Sequence, residues 1–149
     1  MPRIYIDGDA CPVKDETYRV AKRYAVPVTV VAEAWMRTPE SDLVTLEVVK
    51  GDFDAADDWI VERAAPGDLV ITADIPLADR CLKAGVRVLG HRGREFTEDS
   101  IAEAMARREI AAELREMGVQ TGGPKPFAKG DRSQFLQALD VILTAMTRE

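Results

Sequence analysis

Aspartates follow hydrophobic runs at three places in this chain, and their chemistry is the most informative feature of the sequence. Asp7 and Asp9 follow residues 4–6, Asp74 follows residues 69–73, and the acidic segment 52–58 follows residues 44–49. The carboxyl ends of parallel strands form the crevice of an open sheet, so these carboxylates are expected to meet there. Carboxylates that share a site repel one another, and a hard divalent cation relieves that repulsion. The sequence therefore predicts a Mg²⁺ or Mn²⁺ site.

The first acidic motif places two carboxylates on either side of Gly8. Side chains two positions apart in an extended segment point the same way, so Asp7 and Asp9 are expected to face one point. Gly8 has no side chain and lets the backbone approach a ligand closely. The alternative for Asp9 is an Asx turn that caps the helix following Pro12.

Helical periodicity separates the aspartates of the second motif. Asp57 lies at the border of the apolar face formed by residues 55, 56, 59 and 60, so it is the candidate that faces the crevice. Asp54 and Asp58 lie roughly opposite that face, and Asp58 is expected in solvent. Asp54 is either a further metal ligand or a residue that caps the helix and interacts with its dipole.

The third motif combines an aspartate with a hydroxyl. Asp74 precedes Pro76, a residue typical of a first helical turn, so it either caps this helix or caps it and also contacts the metal. Thr72 can orient a carboxylate or a water through its hydroxyl. Asp79 lies inside the same helix and is either an additional ligand or a surface residue.

These residues predict phosphodiester chemistry. Two metal ions held by carboxylates can activate a water and stabilise the leaving oxygen of a phosphodiester, and no histidine is needed. The predicted catalytic residues are Asp7, Asp9, Asp57 and Asp74, and the predicted metal ligands are these four with Asp54. A serine–histidine–aspartate site would have to rest on His91, the only histidine.

Composition narrows the class of protein. The 149 residues have a formal net charge of -6, which argues against a protein that coats DNA. Two cysteines provide neither a disulfide framework nor a zinc knuckle. With no long apolar segment and no secretory signal at its start, the chain is expected to be cytoplasmic and to have no membrane partner.

The elements that position the aspartates follow the order β-α-β-β-α-β-α-β up to residue 89. The strands are short and apolar without alternation, which indicates burial on both faces and predicts an α/β three-layer sandwich with a mainly parallel central sheet. A helical C-terminal segment follows, with helices at 98–117 and from Asp131 or Ser133 to 147. We expect a single domain over residues 1–149, with an α/β core at 1–92 and C-terminal helices and a Gly/Pro loop at 93–149.

Basic residues near the C-terminal loop are candidates for phosphate binding. The loop over residues 121–130 carries Lys125 and Lys129, and Arg132 follows it. Such a loop can cradle phosphate or hold a single strand, with Phe127 as a stacking surface. The alternative is that the loop only connects two helices and is rich in Gly and Pro because these residues end helices. Arg92 and Thr72 complete the predicted phosphate-contacting set.

Several motifs carry a resemblance to known families. The segment 71–78 followed by the strand at 85–89 resembles the "T-x-D-x-x-L then strand" signature of PIN-like domains. A more specific motif lies near the start of the chain, Asp7-Gly8-Asp9-Ala10-Cys11-Pro12-Val13. Together with residues 53–57, 74–78, 92–93 and 121–124, it resembles the YaiI/YqxD family of uncharacterised bacterial proteins over essentially the whole chain. That family usually begins with Asp-Ala-Asp-Ala-Cys-Pro, and Gly8 replaces the alanine here.

The resemblance implies a function as well as a fold. The family is assigned to the PIN/NYN-like superfamily, whose characterised members are often metal-dependent ribonucleases, so it implies RNA as substrate and an acidic site at Asp7, Asp9, Asp57 and Asp74. One alternative is a haloacid-dehalogenase-like phosphatase, since Asp7-x-Asp9 follows a hydrophobic strand. Another is a non-catalytic RNA-binding module on the same fold.

Overall fold

A parallel β-sheet forms the centre of the protein. The computed structural model describes residues 1–120, 122 and 125–148. Within these residues the elements follow one another as β1 (Ile4–Asp7), α1 (Lys14–Tyr24), β2 (Val28–Ala32), β3 (Val44–Val48), α2 (Ala55–Arg63), β4 (Leu69–Ile71), α3 (Ile75–Lys83), β5 (Arg87–Leu89), α4 (Glu98–Glu116) and α5 (Lys129–Met146). This order confirms the predicted α/β class and its helical C-terminal segment.

The strand order creates a switch point beside the first strand. The order is β3-β2-β1-β4-β5, and all neighbouring strands are parallel. The chain thus proceeds from β1 to β3 in one direction and then crosses back to place β4 on the other side of β1. Ile4 of β1 lies opposite Val28 on one side and Leu69 on the other. Ligand crevices of open sheets form where the order reverses, which here is between β1 and β4.

Apolar side chains cover both faces of the sheet and divide the core in two. Ile4 and Ile6 of β1 belong to a cluster with residues of α1 and α5 such as Val20 and Phe135. Tyr5 belongs to a second cluster with residues of α2, α3 and α4 such as Ile60. Successive side chains of a strand alternate between the faces, so one short strand supplies both clusters. The protein is therefore a three-layer sandwich, as the apolar strands predict.

The final helix begins earlier than the sequence predicts. It starts at Lys129 rather than at Asp131 or Ser133. The Asp131 carboxylate accepts a hydrogen bond from the Ala128 N–H at 2.9 Å. A side chain in the first turn therefore caps the N-terminus of α5, and the helix can begin before Asp131. None of the described helices is long and apolar enough to cross a membrane.

Candidate active site

Five aspartates from three segments of the chain line one cavity at the switch point. The cavity has a volume of about 370 Å³, and its acidic lining consists of Asp7, Asp9, Asp54, Asp57, Asp74 and Glu33. Asp7 ends β1, Asp74 follows β4, and Asp54 and Asp57 lie at the start of α2. The structure therefore brings together all five residues predicted as metal ligands.

Hydrogen bonds fix the positions of two of these aspartates. The Thr72 hydroxyl, which is fully buried, donates to Asp7 Oδ2 at 2.8 Å. The same hydroxyl accepts from the Asp74 N–H at 3.0 Å, and Asp74 Oδ1 accepts from the Leu77 N–H at 3.0 Å. Asp74 thus caps α3 and lines the cavity at once. Thr72 therefore orients a carboxylate, one of the two roles predicted for its hydroxyl, and it lines neither this cavity nor the one beside it, where a phosphate contact would lie.

Burial, with the crowding of the carboxylates as a second cause, raises the pKa of two of them. Burial is the main cause that raises the pKa of Asp7 to about 6, and the charges of Asp74, Asp9 and Glu33 add to it against the hydrogen bond from Thr72. The pKa of Asp57 is also raised to about 6, first by burial and then by the charges of Asp74, Asp7 and Asp54. The two carboxyl groups therefore share one electrostatic environment.

Sheet packing explains the glycine between the first two aspartates. The Gly8 N–H donates to the Val31 carbonyl at 2.8 Å. A Cβ at position 8 would lie 2.8 Å from Val30 Cγ1 and 3.0 Å from the Val31 oxygen. The close approach made possible by Gly8 is thus to β2, whereas the sequence suggested an approach to a ligand.

Asp58 and Asp79 form ion pairs, whereas Asp54 lines the cavity although helical periodicity placed it, like Asp58, roughly opposite the apolar face of the helix. Asp58 pairs with Arg80 at 2.8 Å, and Asp79 pairs with Lys83 at 2.9 Å. Asp54 occupies the N-cap position of α2 and makes no side-chain capping bond within the described residues. Its side chain lines the cavity beside Asp57.

A second cavity adjoins the acidic one. It has a volume of about 710 Å³, and Ala10, Ala73 and His91 line both cavities. Its lining also includes Arg92 and Lys125 from the predicted phosphate set, with the basic Arg94, the aromatic Phe96 and Phe127, and Asp131. A basic and aromatic space therefore opens directly beside the carboxylates.

Three of the predicted phosphate-contacting residues have other surroundings. Arg92 Nη1 lies 3.1 Å from Asp131 Oδ2, and Arg92 also donates to the Lys125 carbonyl. Arg132 Nη1 donates to the Pro12 carbonyl at 2.7 Å and to Glu16 Oε2 at 3.0 Å. Arg132 thereby joins α5 to α1. Lys129 is exposed in the first turn of α5 and lines neither of these two cavities.

Sequence reasoning missed several residues that line the site. Glu33 directly follows β2, so the rule that selected Asp7 and Asp74 applies to it as well. Phe53 is 93% exposed at the rim of the acidic cavity. Nε2 of His91 is buried and has no hydrogen-bond partner within the described part of the chain. Burial and the charges of Lys14 and Arg92 lower the pKa of His91, which favours the neutral imidazole.

The donor set suits a hydrated hard cation. Within residues 1–120, 122 and 125–148, no group of three or more His, Cys, Asp or Glu side chains is arranged so that it could hold a metal ion by itself. Mg²⁺ characteristically retains several waters and uses one or two carboxylates together with substrate phosphates. Asp7, Asp9, Asp57 and Asp74 line one open cavity and are the residues that would hold such an ion together with its waters.

Comparisons with known proteins establish the family. Residues 5–145 match the family model described as "Uncharacterized BCR, YaiI/YqxD family". A "UPF0178 protein" of Caulobacter sp. is 55% identical over 148 residues, covering 99% of this chain and 98% of its own. One from Paramagnetospirillum magneticum is 54% identical over 143 residues, covering 96% and 95%. A third, from Bradyrhizobium diazoefficiens, is 54% identical over 146 residues, covering 98% and 87%. The chain therefore belongs to the YaiI/YqxD family, whose members carry the name UPF0178.

Proposed function

We propose that this protein is a Mg²⁺- or Mn²⁺-dependent nuclease that hydrolyses phosphodiester bonds in RNA. The observation that carries the proposal is the convergence of five aspartates from three chain segments on one cavity at the switch point of a parallel sheet. Without a cation, this arrangement costs free energy, because burial and mutual repulsion oppose the ionised forms of Asp7 and Asp57. The resemblance to PIN-like domains points to the same chemistry.

The residues of the cavity have distinct tasks under this proposal. Asp7, held by the Thr72 hydroxyl, and Asp74, held by the start of α3, are positioned ligands. Asp9 and Asp57 provide carboxylates from other sides of the same cavity. A bound divalent ion supplies a more acidic water and neutralises charge on the phosphodiester. Arg94 and Lys125, which line the adjoining cavity, hold the substrate backbone.

Cleavage of a labelled RNA tests the proposal. Purified protein is incubated with a fluorescent single-stranded RNA, and with the matching DNA, in Mn²⁺, Mg²⁺ or EDTA. We expect RNA cleavage in Mn²⁺ or Mg²⁺ and none in EDTA. Asp7→Asn and Asp74→Asn should each lower the rate by at least about 100-fold, the upper range for loss of a group that supports a metal.

Asp58→Asn is the matched control. Asp58 adjoins Asp57 in sequence but pairs with Arg80, so its replacement should leave the rate close to that of the unmodified protein. Cleavage that survives both Asp7→Asn and Asp74→Asn would contradict the proposal. RNA binding without cleavage under any metal would favour the non-catalytic RNA-binding function instead.

A further inference from the structure

Whereas the acidic site is lined by carboxylates, the cavity beside it is lined by basic and aromatic side chains. We propose that it is a nucleotide subsite, which holds one nucleotide of the substrate strand next to the bond that is cleaved. In this subsite the base lies against Phe96 and Phe127, and the phosphate lies near Arg94 and Lys125. The substrate class is taken from the proposed nuclease function, and the position and chemistry of the subsite come from the residues described next.

Continuity with the acidic cavity is the first argument. Ala10 and Ala73 line both cavities with small side chains, and His91 lines both as well. A chain-like ligand can therefore extend from one cavity into the other. The volume of about 710 Å³ lies within the range of about 300–1,000 Å³ typical of small-molecule sites.

Charge is the second argument. Asp131 is the acidic residue of this lining, and its carboxylate is engaged by Arg92 and by the Ala128 N–H. Arg94 and Lys125 are exposed, and neither pairs with a carboxylate within the described residues. These two cations are free to bind an anion, whereas the neighbouring cavity repels anions unless a metal is present.

The aromatic residues are the third argument. Phe127 is half-buried and packs against the first core cluster, and the Arg132 guanidinium covers one face of its ring at 5.0 Å from the ring centre, which leaves the rest of the ring for a base. Phe96 is held by its N–H, which donates to the Val88 carbonyl at 2.9 Å, and its ring lies beside Gly90. Stacking of a base on an aromatic side chain contributes about 1–3 kcal/mol and works with any base.

Two walls of the subsite, the 90–94 loop and α5, contact each other directly. A Cβ at Gly93 would lie 2.6 Å from the Gln134 carbonyl oxygen, and the φ of Gly93 is 88°, so the 90–94 loop contacts α5 directly at a position suited to glycine. The Arg92–Asp131 pair joins the same two segments. A site held in its binding shape loses less entropy when the ligand binds.

Binding of adenosine 5′-monophosphate in EDTA tests the subsite without catalysis. The full chain is titrated and followed by NMR chemical shifts, with adenosine and inorganic phosphate as separate ligands. We expect saturable binding of the nucleotide that is tighter than binding of either part, with the largest shifts at Arg94, Phe96 and Lys125. Binding of inorganic phosphate as tight as that of the nucleotide would overturn the proposal.

Variants separate the subsite from general surface charge. Arg94→Ala combined with Lys125→Ala should weaken nucleotide binding at least 10-fold, and Phe127→Leu, which keeps apolar packing but removes the ring, should also weaken it. Lys129→Ala removes an exposed cation that does not line the subsite and should have no effect. Equal weakening by Lys129→Ala would overturn the proposal.

The same titration distinguishes this proposal from the nuclease proposal. Asp7→Asn and Asp74→Asn should retain nucleotide binding, because their carboxylates lie in the other cavity. Nucleotide binding as expected, without RNA cleavage in any metal, would leave the subsite in place and remove the nuclease function. RNA cleavage that depends on Asp7, without saturable nucleotide binding, would overturn the subsite alone.

Discussion

Asp7 shows how a single residue can be costly to the fold and still be placed at a candidate site. Asp7 is the last residue of β1, the central strand. Its carboxylate accepts a hydrogen bond from the buried Thr72 hydroxyl and lies near the charges of Asp74 and Asp9. One hydrogen bond from a hydroxyl does not compensate a carboxylate for burial beside other carboxylates. The stability of the metal-free protein should therefore depend on the ionisation of this residue.

Replacement of Asp7 by asparagine should stabilise the metal-free protein at high pH. The folded-state pKa of Asp7 is about 6, above its ordinary value of 3.8. Between these values the folded protein binds more protons than the unfolded chain, so the contribution of Asp7 to stability falls as pH rises. At pH 8 in EDTA, Asp7→Asn should raise the free energy of unfolding by up to about 3 kcal/mol.

Urea denaturation at two pH values measures this effect. Near pH 4 the difference between Asp7→Asn and the unmodified protein should largely disappear, because Asp7 is then mostly protonated in the folded state. Asp58→Asn, at an exposed position, provides the comparison. A variant that is less stable than the unmodified protein at pH 8 would contradict the account of Asp7 as a strained carboxylate.

At the scale of elements, contacts between the first and last helices hold the C-terminal segment on the sheet. Phe135 and Leu139 of α5 are fully buried in the cluster that also contains Val20 of α1. Polar contacts between the helices lie at the edges of this apolar packing. Two of them involve arginines, and they differ in the burial of the carboxylate that each arginine meets.

Loss of the Arg132 side chain should destabilise the protein because it leaves the buried Glu16 carboxylate without its ion-pair partner. Glu16 is only 7% exposed, and its Oε1 has no hydrogen-bond partner within the described residues, so Arg132 provides the neutralising charge at 3.0 Å. Since removing one member of a buried pair leaves an uncompensated charge, Arg132→Ala should cost about 2 kcal/mol. This value allows for the partial exposure of Arg132.

Arg23→Ala provides the comparison for Arg132→Ala. Arg23 pairs with Asp140 at 2.7 Å and also joins α1 to α5, but both side chains are exposed. Its loss should cost less than about 1 kcal/mol. Chemical denaturation measures both variants, and Glu16→Gln added to Arg132→Ala should recover part of the lost stability. Equal costs for the two arginines would refute the role given to Glu16.

For the whole molecule, the strand order determines which segments meet. β1 lies between β2 and β4, so residues 7, 33 and 74 reach the same edge of the sheet although they are far apart in the chain. An ion bound there contacts segments that separate on unfolding. Binding of a cation at this edge should therefore be linked to global stability.

Mn²⁺ should raise the thermal unfolding temperature of the protein in a saturable way. A ligand that binds only the folded state stabilises it by about 2.7 kcal/mol at 100 times its dissociation constant. Asp74→Asn should reduce the shift caused by Mn²⁺, and Asp79→Asn should not, since Asp79 pairs with Lys83. Calorimetry with increasing Mn²⁺ measures the shift, and an equal shift in both variants would place the ion elsewhere.

Much of the fold and the positions of the aspartates could be predicted because they depend on local properties of the chain. Apolar runs of three to five residues form β1, β2 and β4, and short strands without alternation are buried on both faces. Helical periodicity distinguished Asp57 from Asp58 in the same way. The role of the aspartates as metal ligands stays a prediction.

Tertiary structure alone decided which partners the long side chains have. Arg132 meets Glu16 across 116 positions and Arg92 meets Asp131 across 39, and no local pattern encodes such distant pairs. The reason for Gly8 likewise lies in β2, and the second cavity exists only where the 90–94 loop and α5 come together. The amino-acid sequence by itself determined the strands, the helices and the strand ends at which the acidic residues lie. Strand order and helix packing decided which side chains share a cavity, because these depend on contacts between segments far apart in the chain.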